Sequence, residues 1–341
     1  MDYKLAVVIP CWNCSKDIGA MLDCIMAQSF EDWRLYCVDD HSTDDTYEVL
    51  QRYEKRDQRI VAVQRPRDPK GAQTCRNYGF ELSEGAEYVI WFDSDDLVAP
   101  WCFGQRVQFM DSHPELDFGV FKAKSFFKDI YEIEGCRLFG NECSERDDLR
   151  RMLRRTLPFV GWTNIYRRKS IEKVCLIWDE KIKSLQDSDF NIQSLLKGLQ
   201  YAFASQFPID YYYRMCQQSG SISSKIFTKS HVDSHLYFIA KLYNSLSPKQ
   251  RKKYRYELDS YLIYFVNNYQ SDEFAKSLNT IPLLKRRWWF LTRLLLYSRF
   301  RGRTLHLLFP VVITYSRRFD SRYWNENKTQ LKKETNVIKG L

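Results

Sequence analysis

The most constraining feature of this sequence is a regular alternation of short apolar runs and helical patterns over its first hundred residues. Four runs rich in β-branched and aromatic residues have the length of strands, at 5–9, 35–40, 60–64 and 88–93. Apolar residues recur at helical spacing between them, near 18–26, 42–56 and 71–82. Strands and helices that alternate in this way form a mostly parallel sheet with helices on both faces. We therefore predict a Rossmann-type α/β fold.

The pattern weakens after residue 100 and changes character again near residue 225. Further strands are predicted at 116–123, 201–206 and 209–215, and further helices at 144–155 and 187–197. From about residue 225 onward the pattern is helical and rich in Tyr, Trp and Arg. We therefore divide the chain into an α/β domain over 1–225 and a helical basic extension over 226–341.

The formal net charge of +9 is concentrated near the C-terminus. Residues 246–341 carry 20 Lys and Arg against 7 Asp and Glu, a balance of +13, so the rest of the chain sums to −4. Within 283–318, Arg alternates with Trp, Leu and Phe in uncharged runs too short to span a bilayer. This pattern favours helices that lie on a membrane surface, and a helical subdomain with a basic surface is the alternative. No nucleic-acid-binding motif is present, so we expect no nucleic-acid partner.

The ten cysteines form no regular framework, and the first residues read as a strand rather than as a secretory leader. Both features favour a reducing cytoplasm. The basic aromatic stretch near the C-terminus then predicts attachment at the inner face of the cytoplasmic membrane. Cys11 and Cys14 form a C-x-x-C at a strand end, where a redox pair is possible. The other cysteines lack the paired spacing of a zinc site, so we expect a variant with both residues replaced by serine to retain activity.

Acidic residues follow two of the predicted strands at the points where those strands end. Asp39 and Asp40 follow the second strand, and Asp93, Asp95 and Asp96 follow the fourth. The carboxyl ends of parallel strands form the ligand-binding edge of such sheets. Two carboxylates about 4 Å apart repel by roughly 4 kcal/mol at an effective dielectric constant of 20, so water or a cation must offset the repulsion. Asp93 and Asp95 offer the oxygen ligands that Mg²⁺ or Mn²⁺ prefers, whereas Asp96 is expected to cap the next helix.

The second acidic pair suits a different ligand group. A carboxylate at Asp39 or Asp40 can accept a hydrogen bond from a base N–H or a ribose hydroxyl. Trp12 follows the first strand and can stack on a planar base. A capped loop without a ligand is the alternative interpretation of the same residues.

Four segments in this order and spacing, VIPCWN, VDDHSTDDT, GAQTCRNYGFE and YVIWFDSDD, resemble the nucleotide-sugar domain of family 2 glycosyltransferases. The resemblance covers roughly residues 3–220 and implies the GT-A fold. It implies that Asp95, with Asp93, holds a divalent metal, Mn²⁺ or Mg²⁺. The residues that it implies for the nucleotide sugar are Pro10, Trp12, Asp39, Asp40, Arg76 and Asp93. His41 departs from the family pattern, which usually has Gly at this position.

The strand at 209–215 and the Ser-rich stretch after it also resemble a feature of this family. Arg214 is therefore a candidate for contact with the donor diphosphate, and a structural role is the alternative.

The family also places an acidic pair, usually Glu-Asp, ahead of a helix, and the Asp is the catalytic base. SLQDSDF at 184–190 stands in that place, with Gln186 instead of Glu. We therefore predict Asp187 as the base and keep Asp189 as the alternative. An inverting transfer needs one carboxylate to deprotonate the attacking hydroxyl, and a cation to offset the charge of the leaving diphosphate. Acids at a helix N-terminus can also be purely stabilising.

Together these features predict an inverting, metal-dependent glycosyltransferase that uses a nucleotide-diphosphate sugar, expected to be UDP-linked, and a glycan or lipid-linked acceptor. A nucleotidyltransferase on a related sheet is one alternative, but the first loop, PCWNCSKDIG, lacks the Gly-rich basic character that a triphosphate requires. A membrane-bound binding protein with a degenerate site is the other. Retention of the carboxylates argues against it.

Overall fold

The computed structural model describes residues 2–144, 146–215, 229–258 and 326–341. The strands are β1 (Tyr3–Cys11), β2 (Trp33–Asp39), β3 (Ile60–Gln64), β4 (Ala86–Trp91), β5 (Leu97–Val98), β6 (Phe118–Val120), β7 (Ala123–Phe126), β8 (Leu138–Phe139), β9 (Asn164–Arg167), β10 (Tyr201–Phe203) and β11 (Tyr211–Arg214). The helices are α1 (Ile18–Met26), α2 (Thr46–Arg56), α3 (Ala72–Leu82), α4 (Cys102–Ser112), α5 (Asp148–Leu153), α6 (Arg168–Val174), α7 (Gln186–Leu196), α8 (Lys229–Ser245) and α9 (Pro248–Lys253). A further helical segment over residues 326–339 is called the C-terminal helix below.

The central sheet has the strand order β10-β6-β9-β4-β1-β2-β3 and confirms the predicted α/β fold. Its pairings are parallel except those of β9, which runs antiparallel to both β4 and β6. The four strands and three helices predicted for the first hundred residues are all present. The single strand predicted at 116–123 is wrong, because this stretch divides between β6 in the central sheet and β7 in another sheet.

Both faces of the central sheet are buried, which explains the unbroken apolar character of β1. Ala6 and Val8 face one apolar core, and Leu5, Val7 and Ile9 face the other. The sheet register pairs the C-terminal end of β1 with that of β2, and β4 ends beside them. The loops that follow these three strands therefore open at one edge of the sheet.

A second sheet, with the order β5-β11-β7-β8, lies beyond β4 in the chain and was not predicted. A buried ion pair connects it to α4, because the guanidinium of Arg106 lies 2.7 Å from the carboxylate of Asp210. Both side chains are fully buried, and Asp210 directly precedes β11. This pair fixes the start of β11 relative to the central sheet.

The C-terminal helix packs on the second sheet. Leu331 and Ile338 lie in an apolar cluster with Tyr212 of β11 and Leu138 of β8. The buried side chain of Asn327 accepts a hydrogen bond from the Leu138 N–H (3.1 Å) and donates one to the Leu138 carbonyl (2.7 Å). The amide thus pairs with β8 as another strand would.

Helix α8 packs against a different apolar core, in which Leu236, Phe238 and Leu242 are buried. Described residues beyond position 225 therefore share cores with the α/β domain, and the proposed division of the chain at that position stays a prediction. The basic aromatic stretch 283–318 lies outside the described residues. In the part of the chain that the structure describes, every helix is too short or too polar to cross a membrane.

Replacing Asn327 with alanine tests how much the C-terminal helix contributes to the fold. The variant leaves a buried N–H and a buried carbonyl of Leu138 unpaired, which we expect to lower the free energy of unfolding by about 2 kcal/mol. Urea denaturation measures the change. Asn336→Ala, at an exposed position of the same helix, is the matched control and should alter stability little. Equal unfolding midpoints for the two variants would contradict this account.

Candidate active site

The loops after β1 and β2 are joined by hydrogen bonds through Asn13. Its backbone N–H donates to Ser42 Oγ (2.9 Å), and its side-chain Oδ1 accepts from the Thr43 N–H (2.8 Å). Its φ of 49° lies in the left-handed region, which Asn tolerates better than most residues. Trp12 precedes it at this edge and is 39% exposed, with the Lys70 ammonium 4.6 Å from its ring centroid. The ring of Trp12 is therefore accessible to a ligand. Its stacking on a base stays a prediction.

Asp39 and Asp40 lie at the same edge and are both held by protein groups. Asp39 is fully buried and accepts hydrogen bonds from the Ser42 N–H (3.1 Å) and from Gln64 Nε2 (3.2 Å). Asp40 forms a buried ion pair with Arg65. These contacts hold both carboxylates in place. Any ligand at this edge must therefore share the carboxylate oxygens with the protein groups that already bind them. Their contact with a nucleoside stays a prediction.

Two neighbouring residues set the backbone path of this edge. Pro10 is the penultimate residue of β1 and lies opposite Val38 of β2. His41 has a φ of 56°, so it adopts the left-handed conformation that favours glycine. A hydrogen bond between its ring Nε2 and the Arg65 carbonyl oxygen (2.9 Å) accompanies that conformation.

Arg76 of α3 connects the loop after β4 to the start of α7. One guanidinium nitrogen lies 2.7 Å from Asp93 Oδ1, and the other donates to Gln186 Oε1 at 2.7 Å. The guanidinium also lies over the Trp178 ring, 4.5 Å from its centroid. A residue predicted for nucleotide-sugar binding thus joins two other predicted segments of the site.

The loop after β4, residues 92–96, is called the D-S-D loop here, and Asp96 anchors it. The carboxylate of Asp96 is fully buried and accepts hydrogen bonds from the Tyr211 hydroxyl (2.6 Å) and the Arg214 N–H (2.7 Å). The predicted role of Asp96 as a helix cap is wrong, because α4 begins only at Cys102. Its carboxylate instead attaches the D-S-D loop to β11.

Asp95 of the same loop is half-buried. Burial, and then repulsion from Asp93, raise the pKa of Asp95 to about 6. Within the described residues, no Lys, Arg or His forms an ion pair with it. A half-buried carboxylate without an ion-pair partner, beside a second carboxylate that pairs with Arg76, suits a hard divalent cation. The same described residues contain no group of three metal-ligating side chains.

Arg214 lies beside the D-S-D loop at the end of β11. Its Nε donates to the Asp95 carbonyl oxygen (2.8 Å), and its guanidinium lies over the Phe126 ring at 4.9 Å. These contacts support a structural role. Contact between Arg214 and a diphosphate stays a prediction, and the Ser-rich stretch after it falls within 216–228, outside the described residues.

Asp187 lies in the first turn of α7 and faces the D-S-D loop. Its Oδ1 accepts a hydrogen bond from the Gly161 N–H at 3.2 Å. Burial raises the pKa of Asp187, the positive charge of Arg76 opposes that rise, and the negative charge of Asp93 adds to it. A buried carboxylate with a raised pKa is suited to accept a proton at neutral pH. The assignment of Asp187 as the base stays a prediction.

Asp189, the alternative base, lies on another side of α7. Its carboxylate is buried and lies 2.6 Å from the Lys241 ammonium of α8. The same ammonium lies 2.8 Å from Asp179, so one cation holds two carboxylates. These contacts favour a structural role for Asp189 in attaching α7 to α8.

Three residues of this region were not singled out from the sequence. Trp178 stacks on Phe190 of α7 with a centroid distance of 4.2 Å and supports Arg76. Gly161 contacts Asp187, and Lys241 holds Asp189. The adjacent Gly161 and Trp162 are the one sequence feature that could have drawn attention to these three residues. No sequence pattern pointed to Lys241.

The fold and this arrangement define a GT-A-type protein with acidic groups at the carboxyl edge of its sheet. Residues 6–175 match the model of glycosyl transferase family 2, and the chain belongs to this family. The chain is 24% identical over 220 residues to the poly(ribitol-phosphate) beta-glucosyltransferase of Bacillus spizizenii. That match covers 62% of this chain and only 32% of the relative, so the chain spans about a third of its length.

Solved structures share the same fold. Staphylococcus aureus TarS 1–349 in complex with UDP-GlcNAc aligns with a TM-score of 0.58 and 18% identity, over 98% of this chain and 92% of that one. The mannosyltransferase PcManGT from Pyrobaculum calidifontis, in complex with GDP-Man and Mn²⁺, aligns with a TM-score of 0.53 and 16% identity. That alignment covers 99% of this chain and 87% of that one. At these identities the likeness concerns the fold.

Replacing Gly161 with alanine should displace Asp187 without changing its chemistry. A Cβ at Gly161 would lie 2.6 Å from Asp187 Oδ1 and 3.0 Å from the Trp178 ring, so the carboxylate must move. We expect turnover of a nucleotide sugar to fall about 10- to 100-fold, since small displacements of a catalytic group have effects of this size. Gly104→Ala in α4 meets only ordinary contacts and is the control. Equal activities of the two variants would contradict the placement.

Because the pKa of Asp95 is raised, replacing its carboxyl group with a neutral amide should stabilise the protein. The size of this gain should depend on pH. Because folding raises this pKa from 3.8 to about 6, the group's stabilising contribution is complete below pH 3.8 and is lost as the pH rises through 6. Asp95→Asn should therefore raise the free energy of unfolding of the metal-free protein by on the order of 2 kcal/mol at pH 7.5, with little change near pH 4. Urea denaturation at both values measures this.

The exposed Asp45→Asn is the control for that experiment and should change stability little at either pH. An Asp95→Asn variant that is less stable than the wild type at pH 7.5 would show that the protein does compensate the Asp95 charge.

Proposed function

We propose that this protein is an inverting glycosyltransferase that moves a sugar from a nucleotide-diphosphate donor to a hydroxyl group of its acceptor. The observation that carries the proposal is the position of Asp187. Its half-buried carboxylate accepts a hydrogen bond from the Gly161 N–H and lies within the electrostatic influence of Arg76 and Asp93. A proton acceptor therefore faces a loop suited to binding a diphosphate.

The proposed reaction needs one base. Asp187 accepts the proton of the acceptor hydroxyl while the hydroxyl oxygen forms a bond to the anomeric carbon of the donor. The bond between that carbon and the diphosphate oxygen breaks on the opposite face, so the configuration inverts and the nucleoside diphosphate leaves. The raised pKa of Asp187 makes the carboxylate a better proton acceptor than an exposed one.

Asp95, assisted by Asp93, would hold a divalent cation, Mn²⁺ or Mg²⁺. The fit is supported by the raised pKa of Asp95, which the nearby charge of Arg214 lowers only in part, and by the lack of an ion pair to Asp95 within the described residues. When bound, such a cation supplies positive charge to the leaving diphosphate. The fold neighbour PcManGT, whose complex holds Mn²⁺ and GDP-Man, supports this assignment at the level of the fold.

The nucleoside would lie at the edge formed by β1 and β2. Trp12 offers an exposed ring there, Pro10 and His41 fix the backbone, and Asp39 and Asp40 offer carboxylate oxygens. We propose a UDP-linked sugar, and the UDP-GlcNAc complex of the fold neighbour TarS supports this choice.

The proposed acceptor is a glycan or a lipid-linked sugar at the inner face of the cytoplasmic membrane. The relative from Bacillus spizizenii is named for transfer to poly(ribitol-phosphate), an anionic polymer. The 20 Lys and Arg of residues 246–341 suit an anionic polymer or an anionic membrane surface equally. Peripheral membrane association through this region is therefore part of the proposal.

Replacing Asp187 with asparagine tests the proposed base. We expect release of UDP from UDP-glucose or UDP-GlcNAc, with Mn²⁺ present, to fall at least about 100-fold, because the variant cannot accept the proton. Stabilisation by UDP and Mn²⁺ in a thermal-shift assay should persist, since Asp187 is not a proposed donor ligand. Asp189→Asn, which leaves Lys241 paired with Asp179, is the control and should lose less activity.

Normal turnover in the Asp187→Asn variant would refute the base assignment. Chelation by EDTA should abolish activity in the wild type, and full activity in EDTA would refute the role of Asp95. A nucleotidyltransferase would instead release inorganic diphosphate from UTP and a sugar phosphate. That product, without turnover of any nucleotide sugar, would replace the proposed function.

A further inference from the structure

Strand β11 presents two of its tyrosines to the candidate active site. Side chains alternate along a strand, so Tyr211 and Tyr213 share one face and Tyr212 lies on the other. Tyr212 packs in the apolar cluster beneath the C-terminal helix. Tyr211 contacts the D-S-D loop through its hydroxyl group, which donates to Asp96 (2.6 Å) and accepts from the Asp93 N–H (3.2 Å).

Both tyrosine rings on the site-facing side are held by Trp162. The Trp162 ring lies nearly parallel to the ring of Tyr211 (4.8 Å, 8°) and to that of Tyr213 (5.5 Å, 11°). The Phe139 ring contacts Trp162 and Tyr213 by its edge. Arg106 donates to the Trp162 carbonyl oxygen at 3.0 Å, which fixes the backbone below this stack. The ring of Tyr213 is therefore held in place by packing alone.

The two hydroxyl groups differ in their partners. Tyr211 makes two hydrogen bonds to the D-S-D loop, whereas the Tyr213 hydroxyl bonds to none of the residues that the structure describes. The Tyr213 side chain is nevertheless half-buried. The hydroxyl of a fixed, half-buried ring is available to a ligand without side-chain rearrangement.

The site carboxylates contribute to the electrostatic surroundings of the Tyr213 phenol. Burial raises the pKa of Tyr213, and the charges of Asp96, Asp93, Asp95 and Asp187 each raise it further. Each of these carboxylates is thus near enough to act on the phenol. The group remains protonated at neutral pH and can donate a hydrogen bond to an oxygen atom.

We propose that Tyr213 is a substrate-contacting residue whose hydroxyl donates a hydrogen bond to a sugar or diphosphate oxygen of the bound nucleotide-sugar donor. The inference rests on the proposed function, because a donor must occupy the space between the D-S-D loop and Asp187. The donor side is favoured because Tyr213 lies between Tyr211 and Arg214 in the chain, and both of these contact the D-S-D loop. A neutral O–H can approach a diphosphate that four carboxylates would otherwise repel.

The pair Tyr213→Phe and Tyr212→Phe tests this contact. Each variant removes one hydroxyl from adjacent positions of β11 and keeps the ring, so packing on Trp162 and beneath the C-terminal helix is retained. The probe is hydrolysis of UDP-glucose and UDP-GlcNAc to UDP with Mn²⁺ present and water as acceptor. We expect kcat/KM for Tyr213→Phe to fall about 10- to 100-fold, as for the loss of a hydrogen bond to a charged group. Tyr212→Phe should match the wild type.

The melting temperature of each variant separates a substrate contact from a structural role. An unchanged melting temperature with the expected loss in Tyr213→Phe supports the contact. Equal kcat/KM for Tyr213→Phe and Tyr212→Phe overturns it, as does a loss that accompanies a lower melting temperature and returns at reduced temperature. A wild-type chain that cleaves neither donor refutes the proposed function and this contact with it. An active wild type with an unaffected Tyr213→Phe variant refutes only the contact.

Discussion

The guanidinium of Arg76 lies between two segments that must meet for this site to exist. It binds Asp93 after β4 and, 110 positions away in the sequence, Gln186 at the start of α7, with Trp178 beneath it. The D-S-D loop and the proposed base belong to different elements, so the backbone alone does not set the distance between them. One buried cation does this and also offsets part of the negative charge on Asp93 and Asp187. A cluster of carboxylates can therefore fold around it.

The neutral amide of Gln186 has an electrostatic consequence for this cluster. A carboxylate at this position would add another negative charge beside Asp187 and would take up part of the Arg76 field. The amide accepts the same hydrogen bond without that charge. Arg76 therefore acts more fully on Asp187, where it opposes the rise in pKa that burial causes. Gln186, in place of the usual Glu, therefore keeps the hydrogen bond to Arg76 and removes one negative charge from the surroundings of the proposed base.

The sequence predicts the part of this site that depends on local patterns. Strands β1 to β4 are mostly apolar, and acidic residues lie at the ends of β2 and β4, so their position at one edge of the sheet could be inferred from topology. The remainder depends on contacts across space. Strand β9 has only four residues and pairs antiparallel with β4. Gly161 matters because a Cβ at this position would displace Asp187. Lys241 contacts Asp189 from a helix about fifty positions away in the sequence. Asp96 looked like a cap because its burial against β11 has no local signature.

The second sheet extends the site beyond the residues that match the family model, which end at 175. Strand β11 holds the D-S-D loop through Tyr211 and Arg214, and the C-terminal helix covers the opposite side of the same sheet. The geometry of the proposed metal-binding loop therefore depends on packing by the last residues described in the chain. Because Asp187 and β11 both lie outside the matched segment, changes there can alter the proposed meeting of donor and acceptor without changing the proposed nucleotide-binding edge between β1 and β2.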